Sequence, residues 1–109
     1  MVEIAFDSIA LRTICESEAH AKTTLGLRVA EVLKHRLADI RAATSIDDLI
    51  AGKPHLINEI DQHMAIDLSD GYRIVICANH LKNPIMKSGR LNWSKVSRVK
   101  ILRIERDYD

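Results

Sequence analysis

Residues 64–78 constrain this chain more than any other stretch. Met64-Ala65-Ile66-Asp67-Leu68 alternates apolar with small or polar side chains, Ser69-Asp70-Gly71 follows, and Tyr72-Arg73-Ile74-Val75-Ile76-Cys77-Ala78 is a nearly continuous apolar run. A period of two marks a strand with one buried face, and an Asp-Gly pair is suited to a hairpin turn. An apolar run of seven reads as a strand covered on both sides. The segment therefore predicts an antiparallel hairpin whose second strand is central, and the rest of the fold has to be arranged around a sheet.

The flanking patterns supply the other layer. Val2, Ile4 and Phe6 alternate with Glu3 and Ala5, which predicts a short first strand. Asp7 or Ser8 is placed to cap a helix carrying Leu11, Ile14 and Cys15 and running to about Lys22. Beyond a break at Thr23-Thr24, Leu25, Val29, Val32, Leu33, Leu37 and Ile40 keep helical spacing over four turns. Ser45-Ile46-Asp47-Asp48 fits a capping box that opens a short helix, ended by Gly52 and Pro54. Residues 79–94 form a long connection with Pro84, Gly89 and Trp93, the last expected to fold back over the core. A final strand is expected from Val96 to Ile104, with Asp107-Tyr108-Asp109 beyond it. This order predicts one α+β domain over residues 1–109: an N-terminal strand, a helical hairpin on one face of a mostly antiparallel sheet, and a C-terminal strand carrying the terminal tail. The opposite face is left partly open, which suits a partner or a substrate.

Composition narrows the function classes. With Phe6, Tyr72, Trp93 and Tyr108 as the only aromatics, a broad base-stacking platform is not expected. Cys15 and Cys77 sit in apolar patterns and read as small core residues, not as a disulfide or a nucleophile. His20, His35, His55, His63 and His80 are scattered without paired ligand spacing, so no metal is expected. No apolar run reaches membrane length and no signal region is apparent, which makes the cytoplasm the expected compartment. The net charge of +1 hides an asymmetry. In residues 80–109, Lys82, Lys87, Arg90, Lys95, Arg98, Lys100, Arg103 and Arg106 stand against Glu105, Asp107 and Asp109, a net of +5. In residues 44–71, Lys53 stands against six acids, a net of −5. The basic third suits contact with phosphates.

Several pieces, in order along the chain, resemble one family. Leu11-Arg12-Thr13-Ile14-Cys15-Glu16-Ser17, Arg36 to Ala43, Gly52-Lys53-Pro54-His55, Gly71 to Ile76, Asn92-Trp93-Ser94-Lys95-Val96 and the Asp107-Tyr108 ending are similar to HigB-type toxins of the RelE/ParE superfamily. Members of that family sometimes carry the label killer suppression protein. The resemblance implies a RelE-like α+β toxin of a type II toxin–antitoxin system that cuts mRNA on the ribosome without metal or other cofactor. It implies a helix-turn-helix antitoxin as cognate partner, with the ribosome and mRNA as targets and no membrane. Whether copies of the chain associate is left open.

Carried over residue by residue, Arg73 matches the family's active-site arginine, whose permanent charge suits a phosphate. An ion pair with Asp67 or another acid across the hairpin is the structural alternative. Tyr108 matches a tyrosine that stacks on a base or hydrogen-bonds near the scissile phosphate, and Asp107 matches the aspartate before it. Two positions depart: Asp109 stands where the family has histidine, and Asn58 where many relatives have lysine. His55 or His63 is then a candidate source of an imidazole. The expected catalytic set is Arg73, Tyr108, Asp107 and Asp109, with Lys100, Arg98, Arg103 and Asn58 binding substrate. The two departures motivate an alternative, a catalytically weakened binding module that pairs with an antitoxin and contributes to operon autoregulation. A gyrase poison, as in the ParE branch, is a third reading that no residue here favours.

Overall fold

A computed structural model describes residues 1–106. The chain runs β1 (Glu3–Phe6), α1 (Ile9–Glu16), α2 (Glu18–Leu25), α3 (Leu27–Ala42), β2 (His55–Asn58), β3 (His63–Asp67), β4 (Tyr72–Ala78) and β5 (Arg98–Arg106), with one-turn 3-10 helices at Ile46–Asp48 and Trp93–Lys95. The five strands form one sheet in the order β1-β5-β4-β3-β2. Only the β1–β5 pairing is parallel; the other three are antiparallel. The architecture is α+β, as the sequence patterns predicted, with three helices in place of the expected helical hairpin packed on a mixed, mostly antiparallel sheet.

The helical layer differs in where it breaks. The expected first helix is divided at Ser17, which leaves helical geometry and accepts the His20 amide on its hydroxyl at 3.3 Å. A serine hydroxyl placed this way starts a helix more readily than it continues one. Thr23 and Thr24 are helical, and the second break falls at Gly26, whose φ of +91° suits a residue without a Cβ. Ser8 caps α1 by accepting the Leu11 amide at 3.1 Å, and the Ser45–Asp48 capping box forms around a single 3-10 turn. On α3, the predicted stripe residues Val29, Leu33, Leu37 and Ile40 are buried together with Ala30, whereas Val32 is half-buried and Leu25 falls at the end of α2.

Leu33, Leu37 and Ile40 pack against Met64, Ile66, Ile74, Ile76, Val99 and Ile101 from β3, β4 and β5. Trp93 and Val96 join this core, as expected of the returning connection. The Asp70-Gly71 turn is formed, with both residues at positive φ and the Tyr72 amide donating to the Ser69 carbonyl. Gly52 is required on two grounds: its φ is +85°, and a Cβ there would meet Ile66 Cγ2 at 2.5 Å.

Two strand expectations change. The last strand is Arg98–Arg106, displaced toward the C-terminus of the predicted span, because Val96 follows a 3-10 turn. An edge strand, β2, has no counterpart among the predicted elements. Its four residues show no alternation, and its pairing with β3 is broken by an irregularity between Leu56 and Asn58. Among the described residues, no helix is long and apolar enough to cross a membrane.

Candidate functional site

Residues opposite one another in a sheet share a face, and successive residues alternate, except at the register shift between Val75 and Ile76, where Leu102 is the extra residue of β5 and lets Lys100 and Glu105 share a face. Since Ile74, Ile76, Val99 and Ile101 point into the helix-covered core, Arg73, Val75 and Cys77 take the other face of β4. Three rows of side chains cross that face. The first contains Asp67, Arg73 and Glu105, the second His55, Ala65, Val75 and Arg103, and the third Cys77, Lys100 and Ala5. Asn58 pairs with His63, which falls level with Cys77 because Met64 faces Ile76.

Arg73 is the polar centre of this face. Its side chain is 17% exposed, and its Nε donates to Glu105 Oε2 at 2.7 Å while a terminal nitrogen lies 2.5 Å from the same oxygen. Arg103 donates through Nε to the other carboxylate oxygen. One carboxylate thus holds two guanidiniums, one on each oxygen. The Arg103 hydrogen bond is the main reason the Glu105 carboxyl is held below the usual glutamate range; burial opposes it and Arg73 adds to it. Glu105 is therefore ionised at neutral pH and a poor proton acceptor. Its service is to orient cations and to hold a dense positive pair together. The structural alternative for Arg73, pairing with an acid, is realised through Glu105 of β5.

The predicted site residues do not all gather here. Arg73 and Arg103 come together. Lys100 lies five residues back along β5 from Glu105, roughly 17 Å at the rise of a strand, and reaches Asp7 at 3.8 Å. Arg98 lies two residues further, pairs with Glu3 at 3.1 Å, and lines a cleft of about 590 Å³ at the β1 edge with Arg41 and Asn79. Asn58 sits in the third row, on the edge strand. Its carbonyl accepts from the Ile60 and Asp61 amides and its amide donates to Asp61, each at 3.0 Å, so it holds the β2–β3 turn. His63 shares that row and His55 occupies the second; neither lies in the row of Arg73. Asp107, Tyr108 and Asp109 lie outside the described residues. They follow Arg106, which is paired with Tyr72 beside Arg73.

Sequence reasoning misses Glu105 as a site residue. Its signal is the two-residue spacing from Arg103 on one strand, but only the register shows that this spacing faces Arg73. Burial pushes the Cys15 thiol up to about 11 and raises Cys77 as well, against a lowering influence from Lys100, which favours the thiol over the thiolate at both. Among the described residues, no group of three or more His, Cys, Asp or Glu side chains is placed to hold a metal ion. No protein-family model, curated protein sequence or solved structure matches this chain.

Proposed function

We propose that this chain is the toxin of a type II toxin–antitoxin pair, a metal-independent endoribonuclease that cuts mRNA on the ribosome. The observation that supports this reading most directly is Arg73, mostly buried on the face of the sheet away from the helices and oriented by a carboxylate it shares with Arg103. In this reading the ribose 2′-oxygen attacks the adjacent phosphorus and the bond to the 5′-oxygen breaks, giving a 2′,3′-cyclic phosphate and a 5′-hydroxyl. The proton of the 2′-hydroxyl passes to a base, and an acid protonates the leaving oxygen. Negative charge grows on the phosphorane oxygens, and a fixed guanidinium stabilises it without reorganising. Arg73 takes that role and Arg103 supports it, while Asp107, Tyr108 and Asp109 are assigned the proton transfers and base contact.

Induction of the chain without its partner is expected to arrest growth and to cut messages in a translation extract. Arg73→Ala, confirmed as folded, is expected to lower the cleavage rate about 10²-fold or more. Undiminished toxicity in that variant would remove Arg73 from the mechanism.

A second reading has its own support. The Asn58 amide is engaged within its turn, and Asp109 stands where the resembled family has an imidazole. A binding module that pairs with a helix-turn-helix antitoxin and serves operon autoregulation needs neither group. A chain that is well tolerated on overexpression alone, and leaves messages intact in the extract, favours this second reading over the nuclease.

A further inference from the structure

The connection between β4 and β5 is an ordered arm. Asn79 N donates to Arg98 O at 2.8 Å, Asn92 N to Pro84 O at 2.8 Å and Met86 N to Arg90 O at 2.8 Å, and Ile85 bridges to Leu91. Side chains clamp its base. Gln62 accepts the Leu91 amide at 2.7 Å, Asn83 accepts the His80 amide at 2.9 Å, and His80 Nε2 accepts the Ser97 and Arg98 amides at 3.1 and 3.3 Å.

Lys82, Lys87, Arg90 and Lys95 project from this arm, all exposed. No acid occurs anywhere between Gly71 and Ile104. The side chains of these four cations make no ion pair or hydrogen bond with another described residue. Every cation of β5 with a neighbouring carboxylate is neutralised in part; those of the arm are not.

We infer that this arm is a second anion-binding surface, separate from Arg73, that docks on the phosphate backbone of double-stranded RNA. Four unneutralised cations on an arm whose backbone is pinned complement a polyanion, and only their side chains need ordering on contact. The choice of duplex over single strand follows from the rings. Recognition of single strands leans on exposed aromatic faces, whereas among the described residues Trp93 is buried, Phe6 packs on the core, and Arg106 lies 5.4 Å over the Tyr72 ring; the remaining aromatic, Tyr108, is assigned to the cleavage site and is not part of the arm. Duplex RNA is recognised chiefly through its backbone and shape, which requires cations and not stacking. The choice of RNA rests on the nuclease reading above; the anion-binding surface itself does not.

The test is titration of the full chain with a blunt RNA duplex of about 20 base pairs over a series of salt concentrations. The K82Q/K87Q/R90Q/K95Q variant is expected to bind at least ten-fold more weakly at low salt. Its slope of log affinity against log salt should be shallower by about 0.9 for each phosphate the variant no longer neutralises. Arg12→Gln, which removes an exposed cation of α1 paired with Glu16, is expected to leave duplex binding and its salt slope unchanged, while Arg73→Ala is read for cleavage alone, so that failure of the nuclease reading and failure of docking are distinguished. An unchanged affinity and slope in the folded quadruple variant overturns the inference. Binding to phosphatidylglycerol vesicles with none to the duplex overturns it too, and would assign Leu81, Ile85 and Met86, which are exposed on the same arm, to a lipid surface.

Discussion

The face around Arg73 and the arm of residues 79–97 are both basic, yet they treat their charges in opposite ways. On the sheet, Arg73 and Arg103 share Glu105, Lys100 approaches Asp7 and Arg98 meets Glu3. On the arm, four cations face solvent without a carboxylate among the described residues. A paired guanidinium is oriented and partly desolvated, which is what a site for one defined phosphate requires. An unpaired ammonium on a rigid arm keeps its full long-range field and suits a less particular polyanion. Charge count alone, summed over the C-terminal third, hides this difference.

The comparison can be attacked at its foundation first. Ile74 is fully buried beneath the helices, directly before Val75 and one residue from Arg73. Ile74→Ala is expected to cost about 2–5 kcal/mol, read by denaturant unfolding, and to loosen the strand that carries Arg73. Next comes the shared carboxylate. Glu105→Gln removes the anion between two guanidiniums and is expected to cost about 1–3 kcal/mol; a neutral result would mean the pair needs no counter-charge. Acid separates the two regions in the same way. Because the Glu105 pKa is lowered in the folded protein, its contribution is present above its unfolded value, near 4.5, and is lost as pH falls below that toward the lowered value. The stability gap between parent and Glu105→Gln should therefore close as pH falls below about 4.5. The smallest effect belongs to the arm. Lys87→Gln is expected to change stability by no more than about 0.5 kcal/mol, and a larger loss would reveal a structural role for a side chain that has no partner among the described residues.

Much of the scaffold was legible because its signals are local. The β3–β4 hairpin, its Asp70-Gly71 turn, the α3 stripe, the Ser8 and Ser45 caps and the return of Trp93 each follow from residues within a few positions of one another. The failures were also local in cause. Ser17 fits a helix interior by spacing and becomes a cap only because the chain bends there. The strand β2 is too short to show a period and exists by virtue of its pairing with β3. Of the residues expected at the site, Arg73 and Arg103 lie together on one carboxylate. Lys100 and Arg98 carry the right charge on the right strand but sit about 17 Å or more along it from Glu105. Asn58, read from the resemblance as a substrate contact, is a turn-forming residue here, since an Asn two and three positions before free amides captures them readily.

By itself the sequence determined the periods, the caps, the turn and the uneven spread of charge, all of which depend on near neighbours. Tertiary structure decided which charges meet. Arg73 and Glu105 are 32 positions apart, and a strand shifted by one residue would turn Glu105 into the core and leave Arg73 facing another side chain. Register of that kind is set by the burial of Ile74, Ile76, Val99 and Ile101 together, a property of the assembled sheet that no single segment contains.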